Sequence, residues 1–201
     1  MSGEEIRNLY KFATIATEGT KLFPATLVTQ LLLESGAALS QLARRAHNYF
    51  GIKAGTTWTG PVISMTTAEF IDGRRVTFKG TDKIYPNRAA AIRDGANMQT
   101  LFRFYSSMTE GFKGWVDFLQ KNTRYTSAGV FTATNPVEQF AAPARAGYAT
   151  DPRYLAKLTA VYNRAKDFFF GAPRSAKVGA LLAAAVALFV LIRTLRNRSP
   201  R

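Results

Sequence analysis

Between regions with helical spacing, the stretch from about Trp58 to Phe78 changes to β-type patterning, and this change constrains the fold more than any other feature of the chain. VISMTTAEF and RRVTF are short runs rich in β-branched and aromatic residues, separated by Ile71-Asp72-Gly73. Asp-Gly between two such runs is a hairpin signal, because both central residues of the favoured turn need positive φ. On either side the spacing is helical. Pro24 suits a first helical turn, Leu27, Val28, Leu31 and Leu32 recur at helical intervals, and Gly36 offers a stop. A second helix is expected from about Ser40 to His47, a third over Phe104 to Leu119, a fourth over Pro136 to Arg145, and a last from Pro152 through Ala165. Residues 1–20 mix polar and apolar positions, with no basic segment leading into an apolar one, so no cleavable secretory signal is read there. The stretch from Lys79 to Thr100 reads as a loop with a short alanine-rich helix at Arg88 to Arg93. The fold class expected is α+β, mainly α, with one hairpin inserted between helices.

With 201 residues, the chain is long enough for one domain with a real core. It has no Cys and a single His, His47, which excludes disulfides, thiolate catalysis and multi-His metal sites. No motif resembling a nucleophile elbow accompanies that His. Acid–base chemistry therefore falls to carboxylates, of which there are only thirteen. The net charge is +14, and six basic residues without an acid lie from Gly171 onward, which leaves +8 on residues 1–170. A body this basic is drawn to polyanions, although its basic residues are dispersed and form no nucleic-acid motif.

The chain is read as a folded body over 1–170, a linker at 171–177, an apolar helix at 178–195 and a basic tail at 196–201. Between Lys177 and Arg193 lie fifteen uncharged residues, VGALLAAAVALFVLI, apolar on every face. A bilayer crossing takes about 20 residues, with about 17 as the lower end, so a short transmembrane helix is expected if Thr194-Leu195 extend it and the flanking cations snorkel. Four arginines after the run favour a cytoplasmic tail with the body on the outer side of the membrane.

Glu34 continues the apolar stripe of Leu27 and Leu31 and lies in the last helical turn. Desolvation and the negative end of the helix dipole both disfavour its ionised form, which suits a general acid. Periodicity equally allows a helix-end side chain that turns to solvent or pairs with Arg44 or Arg45. Glu69, on the first strand of the hairpin, can activate water if it faces a cleft, or can simply be balanced by Arg74 or Arg75 at the surface. Trp58, Tyr105, Tyr125, Tyr148 and Tyr154 are candidates for stacking on sugars or for packing. Asn48 is a candidate for lining a cleft or for packing.

The string LVTQLLLESG, followed by LARRAHNYFGIKA, resembles the catalytic region of the bacterial glucosaminidases of glycoside hydrolase family 73. WTGPVISMTTAEFIDGRRV is similar to that family's hairpin segment, FRFYSSMTEGFKGWVDFLQKNTRY to its central helix, and AGYATDPRYLAKL to its closing motif. In order, these cover about Lys21 to Ala160. The resemblance implies a lysozyme-like fold, a helical lobe and a β-hairpin lobe with a glycan between them. It also implies hydrolysis of the β-1,4 bond from N-acetylglucosamine to N-acetylmuramic acid in peptidoglycan. Glu34 takes the place of the family's general acid and Glu69 that of its hairpin acid, which either activates water or leaves that step to the substrate's own N-acetyl group. Tyr125 matches the tyrosine of the NxRY segment, and Tyr148 that of GYATDP. Neither route requires a metal or organic cofactor. A muramidase or lytic transglycosylase on the same scaffold, and an inactive membrane-tethered wall-binding module, are the competing expectations. Two departures stand out: Ala37-Ala38 replace the Trp-Gly that often follows ESG, and Lys79 to Thr100 looks like an insertion.

Overall fold

The computed structural model describes residues 1–34, 40–72, 74–147 and 153–170. The linker, the apolar run at 178–195 and the basic tail lie outside the described residues, and so does Tyr148. Among the described residues, no helix is long and apolar enough to cross a membrane.

The first helix, α1 (Gly3–Thr17), occupies a region to which sequence reading assigned no element. Its signal is a capping box: the Ser2 hydroxyl accepts from the Glu5 N–H, and the Glu5 carboxylate accepts from the Ser2 N–H. Ile6, Leu9, Ala13 and Ala16 then form its buried stripe. α2 (Pro24–Glu34) is the expected helix, but it is buried on every side from Ala25 to Leu33, Thr29 and Gln30 included. Two of its polar side chains find partners inside the fold, the Thr29 hydroxyl donating to the Ala25 carbonyl at 2.7 Å and the Gln30 side-chain oxygen accepting from the Trp115 indole N–H at 3.1 Å. α2 is therefore a central helix rather than an amphipathic surface one. α3 (Gln41–Ala46) begins on a Ser40 cap and ends with His47 in the left-handed region, at φ 47°.

The β-patterned stretch divides into two sheets where one hairpin was expected. β2 (Thr67–Ile71) and β3 (Arg74–Phe78) form that hairpin, with Glu69 opposite Val76 and Asp72 at φ 49° in the turn. β1 (Val62–Ser64) instead lies at the centre of a separate antiparallel sheet, between β4 (Ile84–Tyr85) and β5 (Leu101–Arg103). Lys79 to Thr100 carries the short helix expected at Arg88 to Arg93, but the rest of it is more than a loop. It supplies β4, helix α4 (Arg88–Arg93) and a 3-10 turn at Met98–Thr100, and its Tyr85, Ala91 and Ala96 pack with Ala54, Val62 and Leu101 as a small second core. Asp94 ties this unit together by accepting from Lys83 at 3.0 Å and from the Tyr85 hydroxyl at 2.8 Å.

The helix expected from Phe104 begins later, as α5 (Met108–Lys121), because the preceding backbone is engaged elsewhere: the Phe104 N–H bonds Pro61 beside β1 and the Tyr105 N–H bonds Ala46 at the end of α3. α5 joins the two halves of the molecule. A Cβ on its Gly111 would lie 2.0 Å from the His47 carbonyl oxygen, and one on Gly114 would lie 2.3 Å from the Tyr105 hydroxyl, so both positions require the absence of a side chain. α6 (Thr123–Ser127), α7 (Pro136–Arg145) and α8 (Tyr154–Phe169) complete the helical half, α7 over the span expected and α8 starting later and ending further on. Ile6, Leu27, Leu31, Phe112, Trp115, Leu119 and Tyr125 form its main core.

Candidate active site

Glu34 is the last residue of α2, half-buried, one turn beyond the fully buried Leu31. Its Oε1 accepts a hydrogen bond of 2.7 Å from the hydroxyl of Tyr154, the first residue of α8. Tyr154 is itself buried against Leu33, Phe140 and Leu158. Three helices, α2, α7 and α8, therefore fix the direction of one carboxyl group. From the sequence, Tyr154 was one candidate aromatic among several. Its signal was its position in the segment similar to the family's closing motif, 120 residues from the acid it contacts.

Glu69 projects from β2 and is half-exposed. Its Oε1 meets the Lys53 ammonium at 2.9 Å, so its partner is neither Arg74 nor Arg75. The Thr67 hydroxyl, at 3.5 Å from the same oxygen, is too far to add much. Lys53 is held in turn by the Gln99 carbonyl at 2.6 Å and by the face of Phe102, 4.1 Å from the ring centroid. Each acid thus has a described partner within its own half of the molecule.

Trp58 presents a half-exposed indole whose N–H donates to the Pro61 carbonyl at 2.9 Å. The Arg103 guanidinium lies 4.7 Å above the ring, and Tyr105 meets the ring edge-on at 5.8 Å. Burial pushes the Tyr105 phenol above its ordinary pKa. Asn48 is 1% exposed and works inside the fold: its amide donates to the carbonyls of Ile52 and Arg103, at 2.8 and 2.9 Å, and accepts from the Ile52 N–H at 2.8 Å. Tyr125 is likewise enclosed, at 0% exposure, with the exposed Arg124 donating to its hydroxyl and lying 4.6 Å from its ring centroid. Asn48 and Tyr125 are interior groups and can act on a ligand through the backbone and side chains they hold. Tyr148 and Ala37-Ala38 lie outside the described residues.

Of the four carboxylates with lowered pKa, Glu5, Glu110 and Glu138 sit at helix starts and Asp94 follows the end of α4. Each of the three glutamates accepts hydrogen bonds from the residue capping or preceding its helix: Ser2, Ser106 and Thr134 respectively. These shifts are structural and do not mark a site. Among the described residues, no group of three or more His, Cys, Asp or Glu is placed to hold a metal ion.

Residues 10–167 match the glucosaminidase family, described as mannosyl-glycoprotein endo-β-N-acetylglucosaminidase. The peptidoglycan hydrolase FlgJ of Salmonella typhimurium is 32% identical over 158 residues, which are 77% of this chain and 43% of that protein. The exo-glucosaminidase LytG of Bacillus subtilis is 28% identical over 162 residues, 79% of this chain and 50% of its own length. The chain thus spans half or less of the length of these relatives. A solved mutant of a peptidoglycan hydrolase from Sphingomonas sp. A1 superimposes with a TM-score of 0.62 at 27% identity, covering 84% of this chain and 99% of that one. The architecture is the mainly helical, lysozyme-like α+β fold of such structures.

Proposed function

The chain belongs to the glucosaminidase family of glycoside hydrolases, and from that premise we propose that it cuts peptidoglycan glycan strands at the β-1,4 bond from N-acetylglucosamine to N-acetylmuramic acid. Glu34 is the general acid. The observation that carries this is its setting: a carboxyl at the end of a buried helix, aimed by the Tyr154 hydroxyl. Its carboxyl proton passes to the glycosidic oxygen as the bond breaks. Glu69, its carboxylate held by the Lys53 ammonium, takes a proton from the water that attacks the sugar's anomeric carbon. Trp58 offers its half-exposed indole as a stacking surface for a sugar ring, while Asn48 and Tyr125 support the surrounding backbone. Tyr148, by resemblance, is a cleft or structural aromatic.

Glu34→Gln keeps the shape and removes the proton. The variant is expected to bind purified peptidoglycan as the parent does while turnover falls at least about a thousandfold. Retained turnover would assign the acid elsewhere; absence of turnover in the parent would favour a wall-binding module.

We also propose that the run at 178–195 tethers the body to a membrane, with the body facing the wall. Its support is sequence alone: an apolar stretch flanked by cations. A version ending at Phe170 should move from the membrane fraction to the soluble fraction. Equal recovery of both forms in the soluble fraction would reject the tether.

A further inference from the structure

The hairpin that carries Glu69 has little of its own to hold it. Two strands alone are marginal in water, and most β3 residues are exposed or half-exposed. At its base the hairpin is clamped: the Ser64 hydroxyl bonds the Thr100 hydroxyl at 2.8 Å and accepts from the Thr81 N–H at 3.1 Å, and the Gly80 N–H donates to Thr66 at 3.0 Å. Beyond that base, Glu69 is attached to the body by its ion pair with Lys53.

Lys53, by contrast, is firmly placed. Its backbone lies alongside β5 through the flanking bonds from Ala54 N–H to Leu101 and from Arg103 N–H to Ile52, both 3.0 Å, and it bridges Phe102. Its side chain runs over the Phe102 ring, and its ammonium donates to Gln99, a carbonyl of the 3-10 turn that ends the Lys79 to Thr100 segment. The ammonium therefore has a fixed address before it reaches Glu69. From this arrangement we infer that Lys53 is a positioning residue for the hairpin carboxylate, and that the Lys79 to Thr100 segment acts on the reaction by aiming Lys53 through the Gln99 carbonyl. This inference rests on the reading of Glu69 as a participant in hydrolysis.

The test is a double-mutant cycle on the full chain, with purified peptidoglycan as substrate and kcat, KM and Tm recorded. Lys53→Met should lower kcat about tenfold with KM within about twofold, the pattern of a misplaced reacting group rather than a lost binding contact. Lys53→Arg, which keeps the charge, should recover most of that loss. In a Glu69→Gln background, Lys53→Met should cost nothing further, because its target is already gone. If Glu69→Gln lowers kcat and Lys53→Met does not, Lys53 has no positioning role. If the two losses multiply, or if Lys53→Met loses activity in step with Tm and Lys53→Arg does not restore it, Lys53 acts on the fold and the inference is wrong. If Glu69→Gln leaves kcat unchanged, the reading of Glu69 fails and the inference falls with it.

Discussion

Glu34 and Glu69 are both half-accessible carboxylates with a well-placed donor, yet they are held by different physics. Glu34 ends a helix buried on every side, and its phenol partner is itself locked among Leu33, Phe140 and Leu158. Displacing it means disturbing a core. Glu69 sits on a two-stranded ribbon and is fixed by an ion pair whose members are each more than a third exposed. Such a pair contributes little to stability, typically under about 1 kcal/mol, so its value lies in geometry. Glu34 is thus rigid by default, while Glu69 is adjustable.

The largest effect on stability should come from the helical side. Trp115 stacks on Phe50 at 4.8 Å and on Phe118 at 5.2 Å. Trp115→Ala should cost about 3–5 kcal/mol in urea unfolding, whereas Ile71→Thr at the exposed hairpin tip should cost no more than about 0.5 kcal/mol. Similar costs at the two sites would erase the contrast. Next comes the junction. In Gly111→Ala the new methyl meets the His47 carbonyl oxygen, a backbone atom that cannot swing aside, and a loss of about 1–3 kcal/mol is expected. An unchanged Tm would show that α5 is free to move relative to α3.

Tyr154→Phe removes the donor to Glu34 and leaves the ring in its pocket. Stability should fall by about 1 kcal/mol and kcat by about tenfold, with KM little changed. An unaltered kcat would mean that the core alone aims the acid. Hydrogen exchange sharpens the same contrast without substitution: amides in the Glu69–Val76 part of the hairpin should exchange through local opening, well before those of Leu31 and its neighbours in α2. Equal protection would make the hairpin as rigid as the core.

The smallest effect is in the sheet unit. Hydrogen bonds from Lys83 and then Tyr85 hold the Asp94 carboxyl below its ordinary pKa. A depressed folded-state pKa stabilises fully above the unfolded value, and the contribution is lost as pH falls through the folded one. A slight drop in Tm is therefore expected below about pH 4, and Asp94→Asn should make that part of the profile flatter. An unaltered profile would show that the network adds nothing.

The helical framework was largely legible because its apolar positions recur with the helical period and its ends carry Pro, Ser, Asn and Gly. α7 begins at Pro136 on an Asn135 cap, as its residues indicate. The hairpin was legible from Asp72-Gly73. The three-stranded sheet was not, since strands of two or three residues have no period to detect, and β4 is just Ile84–Tyr85. α1 was overlooked although its Ser2-x-x-Glu5 box is plain once the buried stripe behind it is seen. At the site, both acids could be named from their motifs, but neither partner could. Tyr154 lies 120 residues from Glu34, and Lys53, although inside the LARRAHNYFGIKA segment, carries no signal that it meets Glu69, so only the folded chain brings each to its carboxylate.

The most direct measurement is mass spectrometry of the new reducing ends that the full chain produces from purified peptidoglycan, with Glu34→Gln run alongside. Fragments ending in reducing N-acetylglucosamine are expected, absent from the variant's digest. Reducing muramic acid or anhydro-muramic ends, or the same fragments from the variant, would contradict it.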